Sequence, residues 1–304
     1  MQIGIMMGAG PGPDGSLDGV VGVARELEAR GFDSAWLANI FGLDAITTMA
    51  IVGRETQRIE LGTAVVPTYP RHPLAIAQQA VTAGVAADGR FSLGIGLSHK
   101  LVIENMMGFS YDKPARHMRE YLEVLAPLLR GEPVKFEGEQ YRVNGGLQVP
   151  DAKPVQLLVA ALGPVMLRIA GRLTSGTITW MTGPKTLAGH IVPTISAAAK
   201  DAGRPEPRVV AGLPIDLVSD VPAAREKIAS QLQMYGMLPS YRAMLDREGA
   251  EGPADVAILG GEAELRAGLD RVRDAGVSDL LAAVTGVEEG SRQRTLDFLA
   301  SELG

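Results

Sequence analysis

Residues 59–97 read IELGTAVVPTYPRHPLAIAQQAVTAGVAADGRFSLGIGL, and this stretch decides the fold. Two short apolar runs, 59–66 and 91–97, have the length of strands. Between them, residues 72–87 have the length of a helix, and Gly89 punctuates its end. A strand, a helix and a second strand in this order make a right-handed crossover within a parallel sheet.

The same alternation extends in both directions. Towards the N-terminus lie strands at 3–7 and 33–38, with helices at 17–30 and 43–55. The first of these helices has apolar residues at 17, 20, 21, 24 and 27 and stops at Gly31. Towards the C-terminus come a helix at 114–129, strands at 155–161, 176–180, 208–218 and 279–284, and helices at 164–173, 184–202, 223–235, 262–275 and 291–303. The 114–129 helix is expected to carry Arg116, Arg119, Glu120 and Glu123 on a polar face. The pattern pauses twice. Residues 131–153 contain two alternating pieces, 134–137 and 140–143, expected to form an inserted hairpin. Residues 236–261 read as an irregular insertion. The expectation is an α/β protein with eight βα units closed into a (β/α)8 TIM barrel, one domain over 1–304. An open doubly wound sheet fits five to seven units better.

Composition narrows the function classes. Hydrophobic residues make up 46% and charged residues 21%, the balance of a folded globular chain. There are no cysteines, which excludes disulfides, thiolate zinc sites and a cysteine nucleophile. The four histidines, His72, His99, His117 and His190, are scattered without ligand spacing, so no metal site is expected. The net charge is −6 with no run of Lys or Arg, which argues against a nucleic-acid partner. No apolar stretch is long enough to span a bilayer, and the start MQIGIMMGAG does not read as a signal peptide, so a cytoplasmic location is expected.

In such a barrel the site is built where strands end and βα loops begin. The first exit, Gly8–Pro13, superficially matches a dinucleotide fingerprint but lacks its third glycine, and its prolines remove N–H donors. Asn39 ends the second strand, either as a turn former or as a site residue. Arg71 and His72 precede a helix, where they either meet an anion or tie down the loop. Gly94 and Gly96 let something approach the fourth strand closely, and Ser98, His99 and Lys100 follow at its exit. GxSxK is not a hydrolase nucleophile elbow. Gly163-Pro164 opens a helix after the fifth strand and suits a phosphate seat or ordinary helix initiation. Trp180 ends the sixth strand, as core or as the wall of a pocket.

Taken together, GFDSAWLAN (31–39), 59–82, GRFSLGIGLSH (89–99), 119–143 and LLVAALGPVMLRIAGRLTSGTITWMTG (157–183) resemble the bacterial-luciferase-like superfamily of flavin and deazaflavin oxidoreductases. The likeness is greatest to the branch that uses the deazaflavin coenzyme F420. It implies a luciferase-like barrel, often a homodimer, moving a hydride between the deazaflavin C5 and a small-molecule substrate. It also implies a bulge with a non-proline cis peptide at Ala64-Val65 beneath the cofactor ring. The cofactor would be held further by Asn39, Leu97, Ser98, Ala161, Leu162, Gly163 and Pro164, with Gly176 and Thr177 beside it. Two positions depart from the alcohol- and sugar-phosphate-oxidising relatives: Asn39 stands where they carry histidine, and His99 where they carry an acid. The catalytic candidates are therefore His99 as proton donor or acceptor, with Asn39 and Trp180 orienting substrate. An FMN-dependent monooxygenase and a non-catalytic flavin-binding barrel are the alternatives.

Overall fold

The computed structural model describes residues 1–8 and 15–304. The glycine- and proline-rich stretch Ala9–Pro13 thus lies outside the described residues. Eight parallel strands form the barrel: β1 (Gln2–Met7), β2 (Ser34–Leu37), β3 (Glu60–Thr63), β5 (Phe91–Gly96), β8 (Gln156–Ala160), β9 (Gly176–Trp180), β10 (Arg208–Leu217) and β12 (Asp279–Val284). Each pairs with its neighbour in chain order. The β9–β10 and β1–β12 pairs close the ring. The outer helices include α1 (Leu17–Ala29), α2 (Ala45–Glu55), α3 (Pro73–Ala86), α4 (Pro114–Leu129), α5 (Pro164–Leu173), α10 (Glu262–Asp274) and α11 (Ser291–Ser301). A short α6 (Pro184–Thr186) runs through a π turn into α7 (Val192–Asp201). This is a (β/α)8 barrel.

The barrel interior is filled by Trp36, Leu158, Ile178, Val210 and Leu281, one from each of five strands. Trp36 is fully buried, and glycines make room for it: a Cβ at Gly62 would fall within its indole. The indole N–H donates to Ser34 Oγ at 2.8 Å, so the one polar atom of the ring is satisfied. At the N-terminal end of the barrel, Arg208 donates to Glu60 (2.6 Å) and Asp279 (2.5 Å) from strands on either side of the ring. Both carboxylates hold the guanidinium charged against the effect of its burial.

Four sequence expectations need correction. The third strand is not continuous over 59–66: β3 ends at Thr63, and a two-residue β4 (Val66–Pro67) resumes pairing with β5. Gly94 and Gly96 do admit a close neighbour, but it is this break in the chain itself. A Cβ at Gly94 would strike the Thr63 carbonyl, and one at Gly96 would come to 2.8 Å from Val65. Glu120 is not on a polar face. It is buried and accepts the N–H groups of Glu139, Gln140 and Tyr141, which pin the hairpin β6 (Val134–Glu137) and β7 (Arg142–Gly145) onto α4. Burial pushes its carboxyl up, and those N–H donors more than offset this and hold it low. Finally, 236–261 is not irregular. α8 (Val221–Met237) is longer than its periodicity suggested, and α9 (Pro239–Glu248), a 3-10 turn (Pro253–Val256) and β11 (Ile258–Gly260) follow. β11 pairs in parallel with the last three residues of β10.

Candidate functional site at the barrel mouth

The C-terminal strand ends bring together most of the residues singled out above. The peptide bond between Ala64 and Val65 is cis, and both side chains pack half-buried against the Trp36 cluster at the top of the barrel. Next round the ring, β5 runs out through Leu97, Ser98 and His99, all half-buried. Ser98 adopts a left-handed conformation (φ 59°) that turns the chain sharply, and its carbonyl accepts from Tyr111 Oη at 3.3 Å.

β8 exits through Ala161 and Leu162 to Gly163, the first cap of α5. His190 Nε2 lies 2.9 Å from the Leu162 carbonyl and pins this turn. Gly163, Pro164 and Val165 are exposed, and no side chain caps the helix. Pro164 has no N–H, so the first-turn donors are those of Val165 and Met166, which lack intrahelical partners. A Cβ on Gly163 would meet nothing within 4 Å. Elsewhere, α1, α2, α3 and α8 are capped by Ser16, Asp44, His72 and Asp220, and the first N–H groups of α6 donate to Glu248, whereas α4, α9 and α11 start, like α5, without a side-chain cap. The bare start of α5, positive by its dipole and open to solvent, fits an anionic group such as a phosphate.

The other candidates divide. Asn39 Oδ1 accepts from the Ala45 N–H at 3.0 Å, so the carbonyl half of this amide organises the start of α2 and its NH2 group remains as a donor at the rim. Arg71 pairs with Asp44 at 2.6 Å, and His72 Nδ1 accepts from Leu74 N at 3.2 Å. Both therefore tie down their loop. Trp180 is half-buried and packs on the barrel core, with its ring edge over Gly212. Gly176 and Thr177 are not at the mouth. They begin β9 and are buried, and the Thr177 hydroxyl donates to the Val159 carbonyl at 2.8 Å. Gly176 is required because a Cβ would overlap the Arg208 backbone.

His99 has company that the sequence did not reveal. Its ring centroid lies 6.3 Å from Tyr235 and 5.9 Å from Tyr241, and the two tyrosines meet edge-on at 5.3 Å. They stand at the end of α8 and the start of α9, which follow β10, whereas His99 follows β5. The α8–α9 hairpin thus carries two rings across the rim to a strand three places away. Pro239 at the first position of α9 and Gly249 just past its end (φ 81°) were the readable signals for this helix. Burial pushes the His99 pKa down and both phenols up, so at neutral pH the imidazole is uncharged and both hydroxyls keep their protons.

Two clefts open among the surrounding helices and loops. One, of about 420 Å³, lies between Tyr69, Phe109, Lys113, His117 and Tyr141. The other, of about 250 Å³, has Lys185, Glu248 and Arg271 on its walls. Neither includes His99 or Gly163, so the site rests on the strand exits.

A barrel with its polar groups and an open helix N-terminus gathered on the C-terminal face belongs to the class of (β/α)8 barrels that bind ligands at that face. More particularly, the chain belongs to the luciferase-like monooxygenase family, whose model matches residues 1–300. Among its relatives, 5,10-methylenetetrahydromethanopterin reductase of Methanolobus tindarius is 29% identical over 240 residues, 78% of this chain and 73% of that protein. F420-dependent glucose-6-phosphate dehydrogenase of Nocardia farcinica is 33% identical over 203 residues, 61% of this chain and 60% of that one. The solved structure of the coenzyme F420 dependent tetrahydromethanopterin reductase from Methanopyrus kandleri superposes with a TM-score of 0.82 at 21% identity, covering 99% of this chain and 98% of that one. The FMN complex of the oxygenating constituent of 3,6-diketocamphane monooxygenase from Pseudomonas putida gives 0.78 at 15%, over 100% and 97%. At these identities both likenesses speak to the fold. Among the described residues, no helix is long and apolar enough to cross a membrane.

Proposed function

We propose that the protein is an oxidoreductase that uses coenzyme F420 and transfers a hydride between it and a small organic substrate at the barrel mouth. The observation that carries this reading is the pairing, on adjacent strands, of the bare α5 N-terminus at Gly163 with the His99 exit of β5. The names of the relatives, several of which are F420-dependent, support the choice of carrier. The bound deazaflavin would supply a two-electron hydride donor or acceptor. The residues of the chain bind, orient and move a proton. The Val165 and Met166 N–H groups meet the phosphate. Leu97 and the Ala64-Val65 bulge offer an apolar seat to a flat ring. The Asn39 NH2 group is a donor at the rim. His99 exchanges a proton at the substrate atom that becomes anionic as the hydride arrives. The imidazole, uncharged at neutral pH, suits the acceptor role in substrate oxidation; in reduction only its minor protonated form can donate, so that direction is favoured below neutral pH.

The test is a fluorescence titration of the purified protein with F420 and with FMN, side by side. Saturable, tighter binding of F420 is expected. Tighter FMN binding would move the protein to the FMN-dependent monooxygenases. Binding of either with no turnover across a broad substrate panel would favour a non-catalytic carrier.

A further inference from the structure

The site described so far says nothing of what the hydride meets, but the α8–α9 hairpin does. Tyr235 and Tyr241 pack against the half-buried His99 imidazole, with ring centroids 6.3 and 5.9 Å from it. The three rings form a cage from which formal charge is absent at neutral pH, since burial disfavours the ionised form of each. Two cations that follow these exits are paired, Arg71 with Asp44 and Lys100 with Glu104. Lys185, which follows β9, lines the separate cleft behind α6 and α9.

The surface around the cage has the same character. Most large apolar side chains in soluble proteins are buried. Among the described residues, most of the exposed ones follow strand exits or lie on the hairpin. Ile40 and Phe41 stand at the β2 exit, Leu101 and Met106 at the β5 exit, and Met234 and Met237 at the hairpin tip. Of the exposed large apolar residues, only Ile51 and Val85 lie on helix faces away from the strand exits and the hairpin. The strand-exit face thus carries exposed apolar side chains as well as the uncharged aromatic cage, a combination that suits a ligand of matching chemistry.

We propose that the α8–α9 hairpin is the specificity element of this site, and that its Tyr235–Tyr241–His99 cage selects a neutral, apolar, ring-conjugated carbonyl compound rather than a phosphorylated sugar. A planar ring gains edge or face contacts with the two tyrosines. A phosphate there would lose its hydration, with Arg71 and Lys100 already paired and Lys185 lining a different cleft. Tyr235 and Tyr241 are positioning residues that hold His99 and the acceptor in register. The substrate class rests on the hydride-transfer reading above, whereas the cage itself does not.

The experiment therefore has two arms. In the first, wild type, Tyr235→Phe and Tyr235→Ala are assayed for reduction of 2-cyclohexenone and menadione by reduced F420, and for oxidation of glucose 6-phosphate by the oxidised form. The neutral acceptors should be turned over in preference to the sugar phosphate. Tyr235→Ala should raise their KM by about ten-fold, the scale of a lost aromatic pair, with the F420 Kd unchanged and with rescue by Tyr235→Phe. Preference for glucose 6-phosphate, or a KM indifferent to Tyr235→Ala, would overturn the proposal. In the second arm, menadione binding to the unloaded protein is read by quenching of tryptophan fluorescence. Saturable quenching that weakens in Tyr235→Ala supports the cage even if F420 fails to bind, in which case only the cofactor reading falls. Absence of quenching overturns the cage. A concentration-dependent dimer that Met237→Lys dissociates, with KM for the neutral acceptors unchanged, would assign the rim to a second copy of the chain and also overturn it.

Discussion

Replacing Gly163 by valine separates binding from folding more cleanly than any other change at the mouth. The residue sits at φ −77°, ψ 154°, an extended conformation that a β-branched side chain adopts readily. Its Cβ would project into open space, with nothing within 4 Å. The cost to the fold is that of a poorer helix cap, up to about 1 kcal/mol, which lowers Tm by only a few degrees in a chain of this size. The cost to binding is larger. The isopropyl group occupies the space through which a phosphate reaches the Val165 and Met166 N–H groups. Losing two charge-assisted hydrogen bonds at about 1.5 kcal/mol each weakens binding by about a hundred-fold. The assay is a fluorescence titration with F420, paired with a thermal melt. Gly94→Ala is the contrast, because there the new methyl group meets the Thr63 carbonyl inside the barrel, and loss of folded protein is expected. A folded Gly163→Val variant with unchanged F420 affinity would show that the phosphate sits elsewhere.

Three further outcomes follow from the structure. His99→Ala should lower turnover by about 10²- to 10⁴-fold while leaving the F420 Kd in place; full turnover removes His99 from proton transfer. Arg208→Met should cost about 3 kcal/mol, read as a fall in Tm or in the urea midpoint, because it leaves Glu60 and the buried Asp279 without their cation; an unchanged midpoint would show that the network contributes nothing net. His99 and His117 both titrate below the ordinary value because burial disfavours their charged forms. As pH falls below about 6.5 the unfolded chain takes up protons before the folded one, so stability declines by up to about 1.4 kcal/mol per pH unit for each histidine until the folded pKa is reached. A Tm that stays level or rises between about pH 7 and 5.5 contradicts this, and His117→Gln should flatten the decline.

The alternation of strand and helix was legible because each barrel strand is buried on both faces and each helix on one. That leaves an apolar run and a 3.6-residue period in the sequence itself. The bare start of α5 was legible for a similar reason, since Gly163-Pro164 is local chemistry. The break between Thr63 and Val66 left no period to read, because Ala64, Val65 and Val66 look alike whether the chain runs straight or bulges; it was the resemblance that implied a bulge at Ala64-Val65. Gly176 and Thr177 came to the site from the resemblance alone; they begin β9 rather than end it, as the register Leu158↔Gly176 shows. Glu120 looked like a surface charge until the hairpin supplied three N–H donors from about twenty residues away. The cage was least visible of all: His99 and its two tyrosines are more than 130 residues apart. Periodicity records what each residue does within its own element, whereas the cage depends on where closure of the ring puts the exits of β5 and β10, and only the tertiary structure decides that.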